Sequence, residues 1–507
     1  MKVANPVSRS QKITGAKPSA RNLPKTNLII SLYMPWLAST ALQQAPLTSY
    51  WIAWLGSFFI FYQTWASSYR YILPDLPIHK QIMRPLFLQQ AIFAGFMCCT
   101  SFFFLFDTLG YEYFEHVQVV NVLSLQEPLS LIAKCQRLSV LGHAVYVTGI
   151  LFFQSKHYYE KPKFYLAPYL SKETWITRIC ITLFILSILF KRVPALSQFS
   201  ISLYNAAIIS GAYIFVHGVL TKNLKYLAIG GSFFLLNIVN STLSGFKEPI
   251  LINFILVGCL LFPYYKKLIL ILAIPVFSVI LLVSSTYTSA FRKSAWSGEA
   301  SVEDARTEAV ENIFQDEYNE GGEHYVNNWD FLANRLSEIS MFTEFVRTIP
   351  SNIPYYYTQL PTDALLAIIP RALWKDKPIT EALAMERVYE AEVINRSSSV
   401  SAKTRPIVDG YVSGGIVGIV IYMFILGGIS QWICNYCENL FGGYSIGCVI
   451  MYNGFFQQLW RGETIEFMVN TVFWSFIAMT LLFQGLRHSN FLQKIKPFEN
   501  PPNQRLL

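Results

Sequence analysis

The chain is poor in charge. Only 14% of its 507 residues are Asp, Glu, Lys or Arg, where a soluble domain carries roughly a quarter. With 53% apolar residues, this deficit excludes an ordinary soluble enzyme and points to a bilayer as solvent, where a central charge costs a few kcal/mol. Also missing is any cysteine in the one long polar segment, so no disulfide framework is implied. The eight cysteines sit elsewhere (Cys98, Cys99, Cys135, Cys180, Cys259, Cys434, Cys437 and Cys448). Cys434-Asn-Tyr-Cys437 has CxxC spacing but no second pair and no neighbouring His, and reads as ordinary helix-end packing. There is no internal repeat, which speaks against an inverted-repeat transporter. Neither a DxD-like diphosphate motif nor clustered His and Cys ligands is present, so no metal and no cofactor is expected.

What is present is a series of apolar windows. They fall at about 28–42, 48–66, 85–106, 138–153, 175–190, 201–220, 224–243, 249–264, 268–285, 411–430, 445–460 and 465–485. Most are long enough to cross about 30 Å at 1.5 Å per residue. The expected fold is therefore an all-α polytopic membrane protein of about 12 transmembrane helices with one large outer loop. Its parts are a basic tail (1–27), helices 1–9 (28–285), the loop (286–409), helices 10–12 (410–486) and a second tail (487–507). The first window lacks a small-residue cleavage site and reads as a retained helix.

Charge orients the array. With both termini in the cytoplasm, the inner segments carry 21 Lys and Arg, while the short outer loops hold only Lys191, Arg192, Lys247 and Arg461. That asymmetry is the positive-inside pattern. It also accounts for the net charge of +9 as a topology signal, with a lipid bilayer as partner and no nucleic acid. The loop 286–409 is the exception, with 19 of the 31 acidic residues and 12 basic ones. Long loops escape the charge rule. Within it, Trp329–Ile349 has helical periodicity (Leu332, Leu336, Ile339, Phe342, Phe345), and Thr380–Asn395 is a second amphipathic stretch. A helical cap on the membrane surface is expected.

Three places concentrate chemistry near the outer surface. The turn Ser244-Gly245-Phe246-Lys247-Glu248-Pro249 is either a solvated hairpin or a compact cationic site at Lys247. The loop run Ile369–Pro378 sets Arg371, Lys375 and Lys377 beside Trp374 between prolines. Arg371 offers a planar fork for phosphate oxygens and Trp374 an aromatic face for a sugar. The bland alternative is snorkelling toward lipid phosphates. Farther on, Arg405, Asp409 and Gly410 precede Gly414-Gly415-Ile416-Val417-Gly418, where glycines permit close helix approach. In the third place, Gln457 to Thr464, polar groups including Arg461 and Glu463 lie at membrane depth, facing either a cavity or a buried structural turn.

The run Pro370-Arg371-Ala372-Leu373-Trp374-Lys375-Asp376-Lys377-Pro378, followed by Asp409-Gly410-Tyr411 and Gly414-Gly415, resembles the signature of Wzy-type O-antigen and exopolysaccharide polymerases. The Ser244–Pro249 turn is similar to the family's basic turn, with Lys247 where Arg is common. The resemblance covers mainly residues 244–430. It implies a metal-independent, GT-C-like membrane glycosyltransferase in a bacterial inner membrane. Such an enzyme polymerises undecaprenyl-pyrophosphate-linked oligosaccharide repeat units on the periplasmic face, with a flippase and a chain-length regulator as possible partners. The departing lipid diphosphate needs cations, for which Arg371, Arg405, Lys247 and Arg292 are the first candidates, then Lys377, Arg335 and Arg461, with Trp374 against the sugar. The acceptor hydroxyl needs a general base, for which Asp409, Glu248, His324 and Glu463 are candidates. The rival readings are an O-antigen ligase, which shares the helix count and outer loop, a lipid-linked oligosaccharide flippase or transporter, and a non-catalytic scaffold. A flippase would line its path with charges inside the helices, and the apolar windows are nearly free of them.

Overall fold

The computed structural model of the chain describes residues 25–112, 116–117, 126–154, 163–167, 171–193, 197–243, 248–276, 278, 329, 331–370, 373–374, 376–396, 402–451 and 464–495. Those residues are overwhelmingly helical. Among the described residues, five helices are long and apolar enough to cross a membrane, namely Leu88–Thr108, Lys172–Lys191, Phe199–Thr221, Pro406–Leu440 and Ile465–His488. Three more, Pro46–Trp65, Gln126–Phe153 and Leu224–Leu243, reach 20 residues or more but fall outside that apolar class.

In chain order the elements used below begin with α1 (Lys25–Leu32), α2 (Met34–Ala41), α3 (Pro46–Trp65), α4 (Leu88–Thr108) and α5 (Gln126–Phe153). Strand β1 (Lys163–Leu166) follows, then α6 (Lys172–Lys191), α7 (Ser197–Thr221), α8 (Leu224–Leu243) and α9 (Glu248–Leu261). The first apolar window is two short helices, broken at Tyr33 just before Pro35, since a proline favours a helix's first turn and ends the one before it. Helix α4 contains a π-helical turn at Gly95–Cys99.

Helix α5 is the central pillar, buried from Leu129 to Leu151. Against it, in parallel, runs α13 (Pro406–Leu440). The two backbones nearly touch at paired glycines: a Cβ on Gly149 would meet the Phe424 carbonyl oxygen at 2.3 Å, and one on Gly427 the Tyr146 carbonyl oxygen at 2.1 Å. Small residues allow this approach, which dispersion then rewards. Helices α6 to α9 form a second group with its own small core at Cys180, Ala207, Ile208 and Phe233.

The described part of the polar segment 286–409 includes α10 (Ile339–Thr348), α11 (Gln359–Ala367) and α12 (Thr380–Glu390). The expected apolar face is buried at Leu336, Ile339, Phe342 and Phe345. These helices meet the start of α13: Tyr411 Oη donates to the Ile349 carbonyl at 2.9 Å, and Tyr356 N to the Val412 carbonyl at 2.9 Å. Helix α13 bends at Gly414–Gly415. Gly415 has φ +61, and a Cβ there would meet the Tyr355 hydroxyl at 2.8 Å, so the bend requires glycine. The bend folds 406–413 back on the longer segment, where Ser413 Oγ donates to Tyr422 Oη at 2.9 Å. After it come α14 (Tyr444–Met451), α15 (Ile465–His488) and strand β2 (Leu492–Ile495), which pairs antiparallel with β1.

Candidate active site

The start of α13, the start of α15 and helix α12 converge on one buried ion network. Arg387 of α12 donates through its two terminal nitrogens to the Glu466 carboxylate, at 2.6 and 3.2 Å. Its Nη2 lies 3.8 Å from Asp409 Oδ1. Asp409 is fully buried. Its Oδ1 accepts from the Thr404 hydroxyl and its Oδ2 from the backbone N–H of Ile465 at 2.8 Å. That last bond satisfies an otherwise orphaned amide at the first turn of α15. Burial opposes the charge on Arg387, but Asp409 and Glu466 outweigh it and hold the guanidinium above its ordinary pKa. Asp363 of α11 is raised by burial and then by the nearby Glu466.

Among the described residues, two buried polar atoms beside this network have no hydrogen-bond partner, Arg387 Nε and Thr464 Oγ1. A buried donor without an acceptor costs about 1–3 kcal/mol, so an acceptor group brought to this guanidinium nitrogen would be stabilised there. Each oxygen of Asp409 still has a lone pair after its one hydrogen bond. The arrangement can therefore bind a hydroxyl group, donating to its oxygen from Arg387 and accepting its proton at Asp409.

Of the sequence candidates, Asp409 is in the network and Arg405 adjoins it. Arg405 precedes the first residue of α13, and its Nε donates to Glu338 Oε1 at 2.7 Å while the guanidinium lies 5.0 Å over the Phe96 ring. Lys377 turns inward and donates to the carbonyls of Ala367 and Ile369, at 2.7 and 2.9 Å, where it caps the C-terminal end of α11. Trp374 is half-buried in the turn that follows. The remaining candidates lie outside the described residues: Lys247, Arg292, His324, Arg371, Arg461 and Glu463, with the side chains of Glu248 and Arg335.

Sequence reasoning missed Arg387 and Glu466. Glu466 carried the available signal, an acidic residue at the very start of an apolar window, where a charge needs a partner. Arg387 sat within an amphipathic stretch whose charges looked solvated. No curated protein and no solved structure matches the chain. A family model described as a domain of unknown function, DUF8712, matches residues 34–494, and the chain belongs to that family.

Proposed function

We propose that the protein is a membrane-embedded glycosyltransferase that joins undecaprenyl-pyrophosphate-linked oligosaccharide units into polymer on the periplasmic face of a bacterial inner membrane. The observation that carries this reading is the Asp409–Arg387–Glu466 network beneath the cap, beside the segment with the polymerase-like signature. The acceptor hydroxyl attacks the anomeric carbon of the growing glycan. The anomeric C–O bond breaks, its electron pair leaves with the lipid diphosphate, and the acceptor's proton passes to Asp409. Thr404 already makes against Asp409 the contact an acceptor hydroxyl would make. Because Lys377 and Arg405 already bond within the fold, the diphosphate role falls first to Arg371.

The sidedness of the contacts supports a topology with the two tails on one side and the cap on the other. At one end Lys25 donates to the Leu151 and Gln154 carbonyls, Arg84 bridges Asp75 to Glu438, and β1 pairs with β2. Apart from Leu151, at the inner end of the window 138–153, these residues belong to segments expected in the cytoplasm. At the other end the cap meets α13 and α15. Among the described residues, the buried Arg, Asp and Glu side chains are Arg84, Glu338, Arg387, Asp409, Glu438 and Glu466. They gather at the two ends, and the buried polar groups between them, such as Gln90 and His143, are uncharged amides and an imidazole, which favours chemistry on one face over a path lined with carboxylates and guanidiniums.

The gene deletion separates the readings. Loss of a polymerase leaves single repeat units on carrier or surface; loss of a ligase leaves polymer on the carrier; loss of a flippase traps units facing the cytoplasm. Arg371→Ala should abolish chain growth at unchanged protein abundance, and long chains retained by that variant would refute the diphosphate role.

A further inference from the structure

The end of the bundle opposite the candidate active site holds a second group of reactive side chains. Cys434 and Glu438 are four residues apart on one face of α13, and Cys448 comes from α14. All three are buried, and their ligand atoms lie within 4.8 Å of one another. Cys434 Sγ is 3.5 Å and Cys448 Sγ 3.7 Å from Glu438 Oε1. The chain is shaped to make this meeting. Gly442 and Gly443 take positive φ in the turn between the helices, and a Cβ on Gly447 would meet the Glu438 Cα at 2.7 Å. Glycine there lets α14 press against Glu438 and bring Cys448 to it.

We propose that Cys434, Glu438 and Cys448 bind a zinc ion that fastens α14 to the end of α13. A tetrahedral zinc with Zn–S of about 2.3 Å and Zn–O of about 2.0–2.2 Å sets sulfur-to-oxygen edges of about 3.5–3.7 Å, which are the separations these atoms already have. Charge agrees as well. Zinc enters as the two thiols release two protons, forming two Zn–S bonds and one Zn–O bond to Glu438, so the buried net charge is unchanged. Arg84 donates to both Glu438 oxygens, at 2.9 and 2.8 Å. This orients the carboxylate and leaves an Oε1 lone pair for the metal, as outer-shell donors do at metal sites. The CxxC spacing misdirects here: Cys437 turns away, with its sulfur 3.1 Å from Met479 Sδ.

The test uses the full chain in nanodiscs, purified on a tag that binds no metal, incubated with zinc chloride, dialysed and measured by elemental analysis. One zinc per chain is expected, falling by about tenfold or more in Cys434→Ser and Cys448→Ser while Cys437→Ser keeps it. Absence of retained zinc, or equal loss in Cys437→Ser, would each overturn the site. None of these readouts depends on glycan polymerisation.

Discussion

The two ends of the bundle each bury one arginine between two carboxylates, yet the arginines are used differently. Arg84 is saturated: its nitrogens donate to Asp75 at 2.8 and 2.6 Å, to Glu438 at 2.9 and 2.8 Å, and to Gln81 at 2.8 Å. Arg387 grips Glu466 with both terminal nitrogens but stands 3.8 Å from Asp409, with its Nε unpartnered among the described residues. A fully satisfied network rigidifies what it joins, whereas a partly satisfied one in a low-dielectric interior is costly unless something binds there. The saturated end therefore reads as a structural clamp and the unsaturated end as a site.

Removing the clamp is the strongest way to break the comparison. Arg84→Ala strands Asp75 and Glu438, and the loss of one partner from a buried ion pair costs about 3–5 kcal/mol. The expected result is a large fall in the thermal midpoint of the protein in detergent, or no monodisperse protein at all. Arg387→Ala should fall less in the same assay, because that network holds fewer bonds. Equal falls would erase the distinction between the ends.

The next effect is on rate. Asp409→Asn keeps the side chain's shape and removes its basicity, so the rate of chain growth on lipid-linked acceptor should drop by about 10²- to 10⁴-fold at nearly unchanged midpoint. Glu438→Gln at the clamp should leave the rate per folded molecule as it was. A rate that survives Asp409→Asn would move the base elsewhere.

Much of this architecture is legible in the sequence because its signals are local. The windows at 175–190, 201–220 and 224–243 coincide with α6, α7 and α8, and the amphipathic periods at 329–349 and 380–395 mark α10 and α12. Apolar periodicity is written residue by residue and survives without knowledge of neighbours. The window at 138–153 underestimates α5, which begins at Gln126, because Lys134 and Arg137 look like an end until a protein neighbour shelters them. Arg137, for instance, donates to Ser49 Oγ at 2.8 Å. The site is less legible, since it is assembled from Arg387, Asp409 and Glu466 on three separate helices. Pairing across such distances leaves no periodic trace. Lys377 misleads for the opposite reason: a cation beside a tryptophan and prolines looks like a ligand group, and only the fold reveals the helix end it caps.

Lys377 also offers the smallest and most pointed test. In Lys377→Met the aliphatic stem is kept and the ammonium lost, and with it two hydrogen bonds to the carbonyls that end α11. A cation in that position contributes about 1–2 kcal/mol when partly buried, so a modest fall in midpoint is expected with the rate per folded molecule unchanged. If Lys377 instead held the departing diphosphate, the pattern would invert, with a depressed rate and a steady midpoint. The two outcomes separate a lysine that builds the cap from one that works beneath it, because a bond present in the resting fold stabilises that fold. A contact made only to substrate does not.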